Sequence, residues 1–542
     1  MNPAFQPGAA AWPSATPAQP APLPLTAAQK LLLPLGALLF DWLFWLEGTG
    51  LNVLVFTIFV VAAQLYLLPR HAAARRSGYF WLAVAGSLFS AAMVAVYGSG
   101  AAGLATLASL AMLLGYVNQP HLKLVLYAVL TAGANWLQAG PRVLRGLRAP
   151  RQSGAGLRRG WFYARLLLVP LAVLVGFHLL FAMANPRYDM LSYKVMAKLM
   201  DWLLLLIPDI SFAHLLFFAL GFLLTAGALV VVPVHYFADH ESRFGEFIRR
   251  QRDRVASFGV RRPDFSAKNF RTLDLRKEFL AAGAVFGLVN LLLLVVNAID
   301  INWLWFGFVP KANFDLAQFV HEGTYVLIFS ILLAMGIVLW FFRRNLNFYQ
   351  PGLPWLRWGA TVWVLQNAVL AISVGLRNYY YIWHSGIAYK RIGVCFFLVL
   401  VFFGLATVLL KIWQRRSAYS LIRLNSLAVY AVLLALAAGN WEPWIAGYNL
   451  QRRFPSLDIG FLLDMPGRVL PVLQARRAVI AEARQLNVED ENGNVTSIDN
   501  AAALARLDMA IRDWQAHHAA RPDWQSLTWA AYQTAEALPP HE

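Results

Sequence analysis

The residues best equipped for chemistry crowd into one stretch, Arg377 to Arg391. Fifteen positions there hold three adjacent tyrosines (Tyr379, Tyr380 and Tyr381), Trp383, His384 and three cations. Apolar segments flank the stretch on both sides. Ionisable and amide groups at or inside membrane segments are costly, so they face one another. The acids available to neutralise Arg377 and Arg391 are Asp300 and Glu322. His321 stands beside the second acid, and Asn378, Asn440 and Asn449 lie at neighbouring segment ends. These eight residues would make a charged vestibule facing a ligand or substrate. The competing reading has them capping helices and joining them by hydrogen bonds, with the tyrosines and Trp383 in an aromatic belt at head-group level. Asn290, Gln366 and Asn367 sit deeper in their segments.

No pattern in the chain demands catalysis. It contains no HExxH helix, P-loop, G-x-S-x-G elbow or CxxC pair. His321-Glu322 has no second histidine four residues after the first, as a zinc-protease helix requires. Cys395 is the only cysteine, which excludes an intrachain disulfide and a cysteine-based metal site. We expect no catalytic residue, no metal site and no cofactor.

The elements that must position these residues are membrane helices. Of 542 residues, 59% are hydrophobic and only 14% charged, and the mean hydropathy is +0.53. Windows of about 20 residues with few or no charges recur, which is the length that crosses a bilayer. The expected fold is all-α, a polytopic bundle of 11–12 spans over 29–439 with a small helical soluble domain over 440–542. Residues 1–28 read as a disordered Pro/Ala-rich tail. A net charge of +18 invites a nucleic-acid reading, but the arginines cluster in loops between apolar segments, the bias of cytoplasmic loops. The partners expected are therefore the lipid bilayer, anionic head groups at the basic inner loops and an unidentified membrane protein, with no nucleic acid.

Spans are expected at Lys30–Leu46, Leu51–Leu68, Tyr79–Tyr97, Ala101–Val117, Trp161–Met183, Phe212–Val232, Phe279–Ala298, Tyr325–Phe342, Trp358–Leu376, Ile392–Ile412 and Leu421–Ala438. His121–Gln138 contains Lys123, Asn135 and Gln138, and an arginine loop follows from Arg142 to Arg159. Positive-inside bias favours an interfacial segment over a twelfth span. The N-terminus then lies inside and the C-terminal domain outside. Arg377–Arg391 becomes an outer loop, as do Asn185–Ser211 and Asp300–Gly323. The inner loop 235–277 holds eleven Lys/Arg against six acids and reads as a short amphipathic helix plus a linker. Past Gly439, Gly467–Leu486 and Asp499–His517 show helical periodicity, with a turn at Asp490–Asn494 and a third helix over Asp523–Ala537.

Several ordered pieces resemble one family. They are Asp41-Trp-Leu-Phe44, Gly50 to Phe56, Pro170 to Asn185, Asn297-Ala-Ile-Asp-Ile301 and Phe319 to Tyr325. Arg377, Tyr381-Ile382, Gly386 and Arg391 follow, although Gly386-Ile-Ala388 departs from the family's Gly-Leu-Thr. Asn440, Ile445-Ala446, Tyr448-Asn449, Leu457-Asp458 and Trp524 complete the series. On these the chain resembles the bacterial membrane proteins of the "domain of unknown function 4153/4173" group. The resemblance implies a multi-pass protein of the bacterial inner membrane. It supplies no activity and no catalytic residue.

Three functions fit. The first is a non-catalytic membrane module, a scaffold, sensor or accessory subunit with a polar outer vestibule. The second is a transporter of a small or lipidic solute, which mirrored halves and broken helices would support. The third is an outer-face transferase on a lipid-linked substrate, favoured only by analogy of topology. Reporter fusions test the topology. A fusion after Gln138 is expected inside, and fusions after Arg391 and Glu542 outside; an inner Arg391 would overturn the vestibule.

Overall fold

The computed structural model describes residues 25–148, 211–249, 255–257, 260–263, 272–306, 316–343, 345–451, 454, 456–489, 495–520 and 524–538, with a few single positions between 174 and 198. Side chains are outside the description at 144–148, 255–263, 272–274, 316–324, 489, 495 and 519–520. The span expected at Trp161–Met183, the arginine loop past Arg148, the tail before Leu25 and the turn at Asp490–Asn494 lie outside the described residues.

The described helices are α1 (Ala27–Phe44), α2 (Leu51–Leu67), α3 (Gly78–Tyr97), α4 (Gly100–Asn118), α5 (Val125–Arg148), α6 (Phe212–Leu229), α7 (Tyr236–Ser242), α8 (Thr272–Asp300), α9 (Leu316–Phe341), α10 (Leu353–Ser385), α11 (Tyr389–Gln414) and α12 (Ala418–Ala437). The C-terminal part adds α13 (Trp441–Asn449), α14 (Ile459–Leu463), α15 (Leu470–Ala475), α16 (Arg477–Ala481), α17 (Asn500–Ala520) and α18 (Trp529–Ala537). Among the described residues, eight helices are long and apolar enough to cross a membrane, and two shorter apolar ones lie at Leu51–Leu67 and Tyr325–Phe341. Their large exposed side chains, such as Leu288, Leu291, Tyr325 and Phe329, are those a bilayer would solvate. Local signals set the ends. Gly98, at φ +61°, stops α3, and Ser99 and Ser417 cap α4 and α12 by accepting from Ala102 N and Ser420 N.

The chain divides into two compact units, one of residues 1–41 with 136–232 and one of 42–135 with 233–542. In the first, α1 and α6 run antiparallel. Gln29 Nε2 donates to Leu229 O at one end (3.0 Å), and His214 Nε2 meets the Asp41 carboxylate at the other (2.9 Å). Between them Phe40 stacks on Phe217, and a Cβ on Gly221 would come within 2.5 Å of the Phe40 ring. Gly227 of α6 takes the Trp136 ring of α5 in the same way. Small residues permit close helix approach where apolar burial alone cannot drive association.

In the second unit α3 and α4 form a hairpin closed by α12, where Tyr430 OH reaches Ser109 Oγ (2.8 Å) over Gly86. The main apolar cluster joins α8, α9, α10 and α11 around Phe286, Trp363 and Val401. A polar ladder threads α8 to α10. Gln366 Nε2 donates to Asn290 Oδ1 (2.8 Å), Asn290 Nδ2 to Gly359 O (2.9 Å) and Asn297 Nδ2 to Gln366 O (3.1 Å). Higher up, Trp305 Nε1 donates to Ser373 Oγ (3.0 Å) and Tyr380 OH to Leu304 O (3.1 Å). Residues 301–305 form a π-helical turn that follows α8 directly.

The structure changes several expected boundaries. The stretch Arg377–Arg391 is not a loop. Helix α10 runs on to Ser385, and only Gly386, Ile387 and Ala388 join it to α11. The ladder explains this, because Arg377 and Tyr380 each bond to α8 or its π turn and hold the extra helical turns. The helix over His121–Gln138 instead starts at Val125 and continues to Arg148. The stretch 235–277 contains α7 and an antiparallel pair, β1 (Val255–Ser257) with β2 (Val260–Pro263).

The C-terminal part is helical with an added small sheet. Strands β3 (Leu457–Asp458), β4 (Leu486–Glu489) and β5 (Val495–Ile498) pair in that order, β3 with β4 parallel and β4 with β5 antiparallel. The helix expected over Gly467–Leu486 is three short pieces, a 3-10 turn at Gly467–Val469, then α15 and α16. Pro471, which has no amide hydrogen to donate, sits in the first turn of α15 and marks its start after the 3-10 turn. Arg477 Nη2 donates to Asp508 Oδ2 (2.7 Å), and this contact holds the guanidinium above its ordinary pKa.

Asn52 closes the turn before α2. It is fully buried, accepts from Gly50 N (2.8 Å) and donates to Leu43 O (2.9 Å) and Gly48 O (2.7 Å). Beside it, Leu51 N donates to Leu527 O (3.0 Å) and Asn52 N to Gln525 O (2.9 Å). Asn52→Ala leaves two buried carbonyls and one amide without partners. It should cost about 2–3 kcal/mol, read as a lowered melting temperature in detergent.

Candidate functional site

The three-residue corner between α10 and α11 is where the bundle meets the C-terminal domain. Gly386 ends α10 at φ +76°, a conformation that favours glycine. A Cβ there would also strike the Asn449 carboxamide. That carboxamide holds the next residue by both backbone groups. Ile387 N donates to Asn449 Oδ1 (2.6 Å), and Asn449 Nδ2 donates to Ile387 O (2.8 Å). Asn449 thereby acts as a strand partner supplied by a side chain. The Ile387 side chain is buried in the core of the C-terminal domain, with Ile445, Leu450, Ile459 and Leu462.

Arg391 folds back over the same corner. Its Nη1 donates to Ser385 O (2.7 Å) and also to Gly386 O, and its guanidinium lies 3.8 Å over the Tyr381 ring. A cation on the last carbonyls of α10 satisfies acceptors that the helix leaves open. Asn378 Nδ2 donates to Arg391 O (3.1 Å) and lies 3.3 Å from Cys395 Sγ. One turn deeper, Arg377 Nη2 pairs with Asp300 Oδ1 at 3.0 Å, and both residues are buried.

Of the eight residues singled out from sequence, the structure thus joins Arg377 to Asp300, Asn378 to Arg391 and Asn449 to the Gly386–Ile387 turn. Asn440 stands apart, exposed at the start of α13 with no capping bond from its side chain. His321 and Glu322 lie on α9, and their side chains are outside the described residues. A cleft of about 420 Å³ opens beside the corner. Tyr381, Tyr389, Lys390, Arg391 and Asp458 line it, whereas Asp300 and Arg377 do not.

A second polar cluster lies at this end, and sequence reasoning missed it. Glu442 and Arg468 are both buried. Arg468 Nε donates to Glu442 Oε2 (2.7 Å), Tyr389 OH donates to Glu442 Oε1 (2.9 Å), and Arg468 Nη1 donates to Tyr97 O. Helix α13, the start of α11 and the turn before α15 therefore meet on one carboxylate, and Arg468 links them to the end of α3. A signal was present, since Glu442 is the only acid between Glu322 and Asp458. No group of three or more His, Cys, Asp or Glu side chains placed to hold a metal occurs among the described residues.

Apolar helices long enough to span a bilayer, with a polar joint binding them to a C-terminal domain, define a multi-pass integral membrane protein. A family model described as domain of unknown function (DUF4153) matches residues 53–475, and the chain belongs to that family. No curated protein and no solved structure matches it.

Asn449→Ala should uncouple the corner from the C-terminal domain. The two lost bonds leave a buried amide and carbonyl of Ile387 bare, a loss of about 2 kcal/mol. The checks are thermal melting in detergent and faster proteolysis after residue 450. Gly386→Val should be worse, because φ +76° opposes any branched side chain and the Asn449 contact leaves no room.

Proposed function

We propose that this protein is a non-catalytic module of the bacterial inner membrane, a scaffold, sensor or accessory subunit that carries its C-terminal domain rigidly on the outer face. The observation that supports this is how the polar groups of the joint are used. Asn449 is committed to Ile387, Arg391 to the α10 carbonyls and the Tyr381 ring, Arg377 to Asp300, and Glu442 to Arg468 and Tyr389. Each contact crosses between segments, so the groups are consumed in fixing one body against another. A catalytic pair needs at least one group turned toward a substrate. The cleft lined by Lys390, Arg391 and Asp458 is then a place for a partner to dock.

On this reading, Arg377→Lys and Glu322→Gln act through folding. Arg377→Lys keeps the charge but loses the planar fork, so the buried pair with Asp300 weakens. The expected result is reduced membrane abundance, with the deletion phenotype complemented in proportion to the amount of protein present. Quantitative immunoblotting beside complementation decides it. Normal abundance with complete loss of complementation would overturn the proposal.

A further inference from the structure

The opposite ends of the same helices carry a second built site. Helix α7 lies against the starts of α5 and α12, and one buried carboxylate holds it there. Glu241 is only 6% exposed. Its Oε1 accepts from Lys123 N (2.9 Å), Leu124 N (3.2 Å) and Tyr419 OH (2.6 Å). Phe244 stacks on Tyr419 with ring centroids 6.0 Å apart. The next residues run along the α11–α12 turn, where Ser417 N donates to Glu246 O and Ile248 N to Arg415 O, both at 2.9 Å.

This arrangement opens a cleft of about 560 Å³. Leu126, Phe247 and Ile422 form its apolar part, and all three are more than half exposed. Arg243 and Arg249 line the same cleft, and among the described residues no carboxylate does. Ile422 belongs to a helix that begins at Ala418 and is apolar enough to cross a membrane, so the cleft sits where such a span starts. A neighbouring cleft shares Phe244 and Tyr419 and adds His121 and Lys123 beside Glu241, and the next carries Arg76 and His71.

We propose that this cleft binds an anionic diacyl phospholipid. The phosphodiester of the head group sits between Arg243 and Arg249, and an acyl chain lies over Leu126, Phe247 and Ile422. Guanidinium groups suit phosphate oxygens, and the exposed apolar side chains gain by leaving water for a lipid chain. The charge of the cleft selects the occupant, because two cations with no lining acid favour a net anionic head over a zwitterionic one. The inference goes beyond the module reading above and stands whatever the C-terminal domain does.

The test is native mass spectrometry of the full chain purified in detergent, with thermal melting alongside. Phosphatidylglycerol is compared with phosphatidylcholine of the same chains and with inorganic phosphate. Phosphatidylglycerol should be retained about ten-fold better than phosphatidylcholine and should raise the melting temperature, an effect that weakens with salt. The double change Arg243→Gln with Arg249→Gln should abolish that preference. Ile422→Trp, which fills the apolar part without touching charge, should also lower retention, and exposed Arg512→Gln on the C-terminal domain should leave it unchanged. Equal retention of the two lipids would overturn the proposal. So would an equal thermal shift from inorganic phosphate, or a folded double variant that keeps the preference. If the double variant does not fold, undiminished retention by Ile422→Trp overturns it.

Discussion

Backbone groups left unpaired away from water are expensive, and the corner at Gly386–Ala388 is where this protein meets that constraint. The helical bond pattern stops there, and Ile387 is buried. One side chain, Asn449, replaces the missing partners by accepting from Ile387 N and donating to Ile387 O. Because Asn449 ends α13, the same contact ties the C-terminal domain to the turn between α10 and α11. Ile387 then contributes to that domain's core, so two otherwise separate apolar clusters share one connector. The glycine before it is required twice, by its positive φ and by the closeness of Asn449.

The ladder between α8 and α10 carries the corner outward from the apolar cluster below. Each interhelical hydrogen bond of this kind contributes roughly 0.6 kcal/mol inside a membrane, so the rungs together do more for register than for stability. The buried Arg377–Asp300 pair belongs to the same logic. Bringing two charges out of water costs several kcal/mol, and their attraction returns about as much. Deleting one partner would strand the other, at a cost of about 3–5 kcal/mol. The pair therefore punishes any other register of α10 against α8 while contributing little net energy.

The two ends of the second unit differ in chemistry. Under the C-terminal domain, acids and arginines are paired and buried, as in Glu442 with Arg468. At the other end the arginines line open clefts beside exposed apolar side chains, and Glu241 is consumed in holding α7. In the first unit the close contacts rest on glycine instead, with Gly221 and Gly227 admitting the rings of Phe40 and Trp136.

Much of this was legible in the sequence, and the divide is physical. Apolar windows alone fixed the class, because a bilayer demands long helices whatever their neighbours. Length and hydropathy placed the helices at Leu51–Leu67, Gly78–Tyr97, Gly100–Asn118, Phe212–Leu229, Tyr389–Gln414 and Ala418–Ala437 within a few residues of where they lie, whereas those at Thr272–Asp300, Leu316–Phe341 and Leu353–Ser385 run seven to nine residues past an expected end. The polarity of Arg377, Asp300, Asn378, Arg391 and Asn449 marked them as residues needing partners, since none is cheap to bury. Which partner each takes was decided by tertiary structure. Asp300 and Arg377 are separated by 77 positions and Asn449 and Ile387 by 62, distances over which no local periodicity operates. The same holds for Glu442 and Arg468, whose pairing depends on two short turns folding onto the ends of α3 and α11. Even the end of α10 belonged to the fold, because contacts with Asp300 and Leu304 keep Arg377 to Ser385 helical where local sequence reads as a loop. Composition specifies what must be hidden from lipid and water, and only packing decides what hides it.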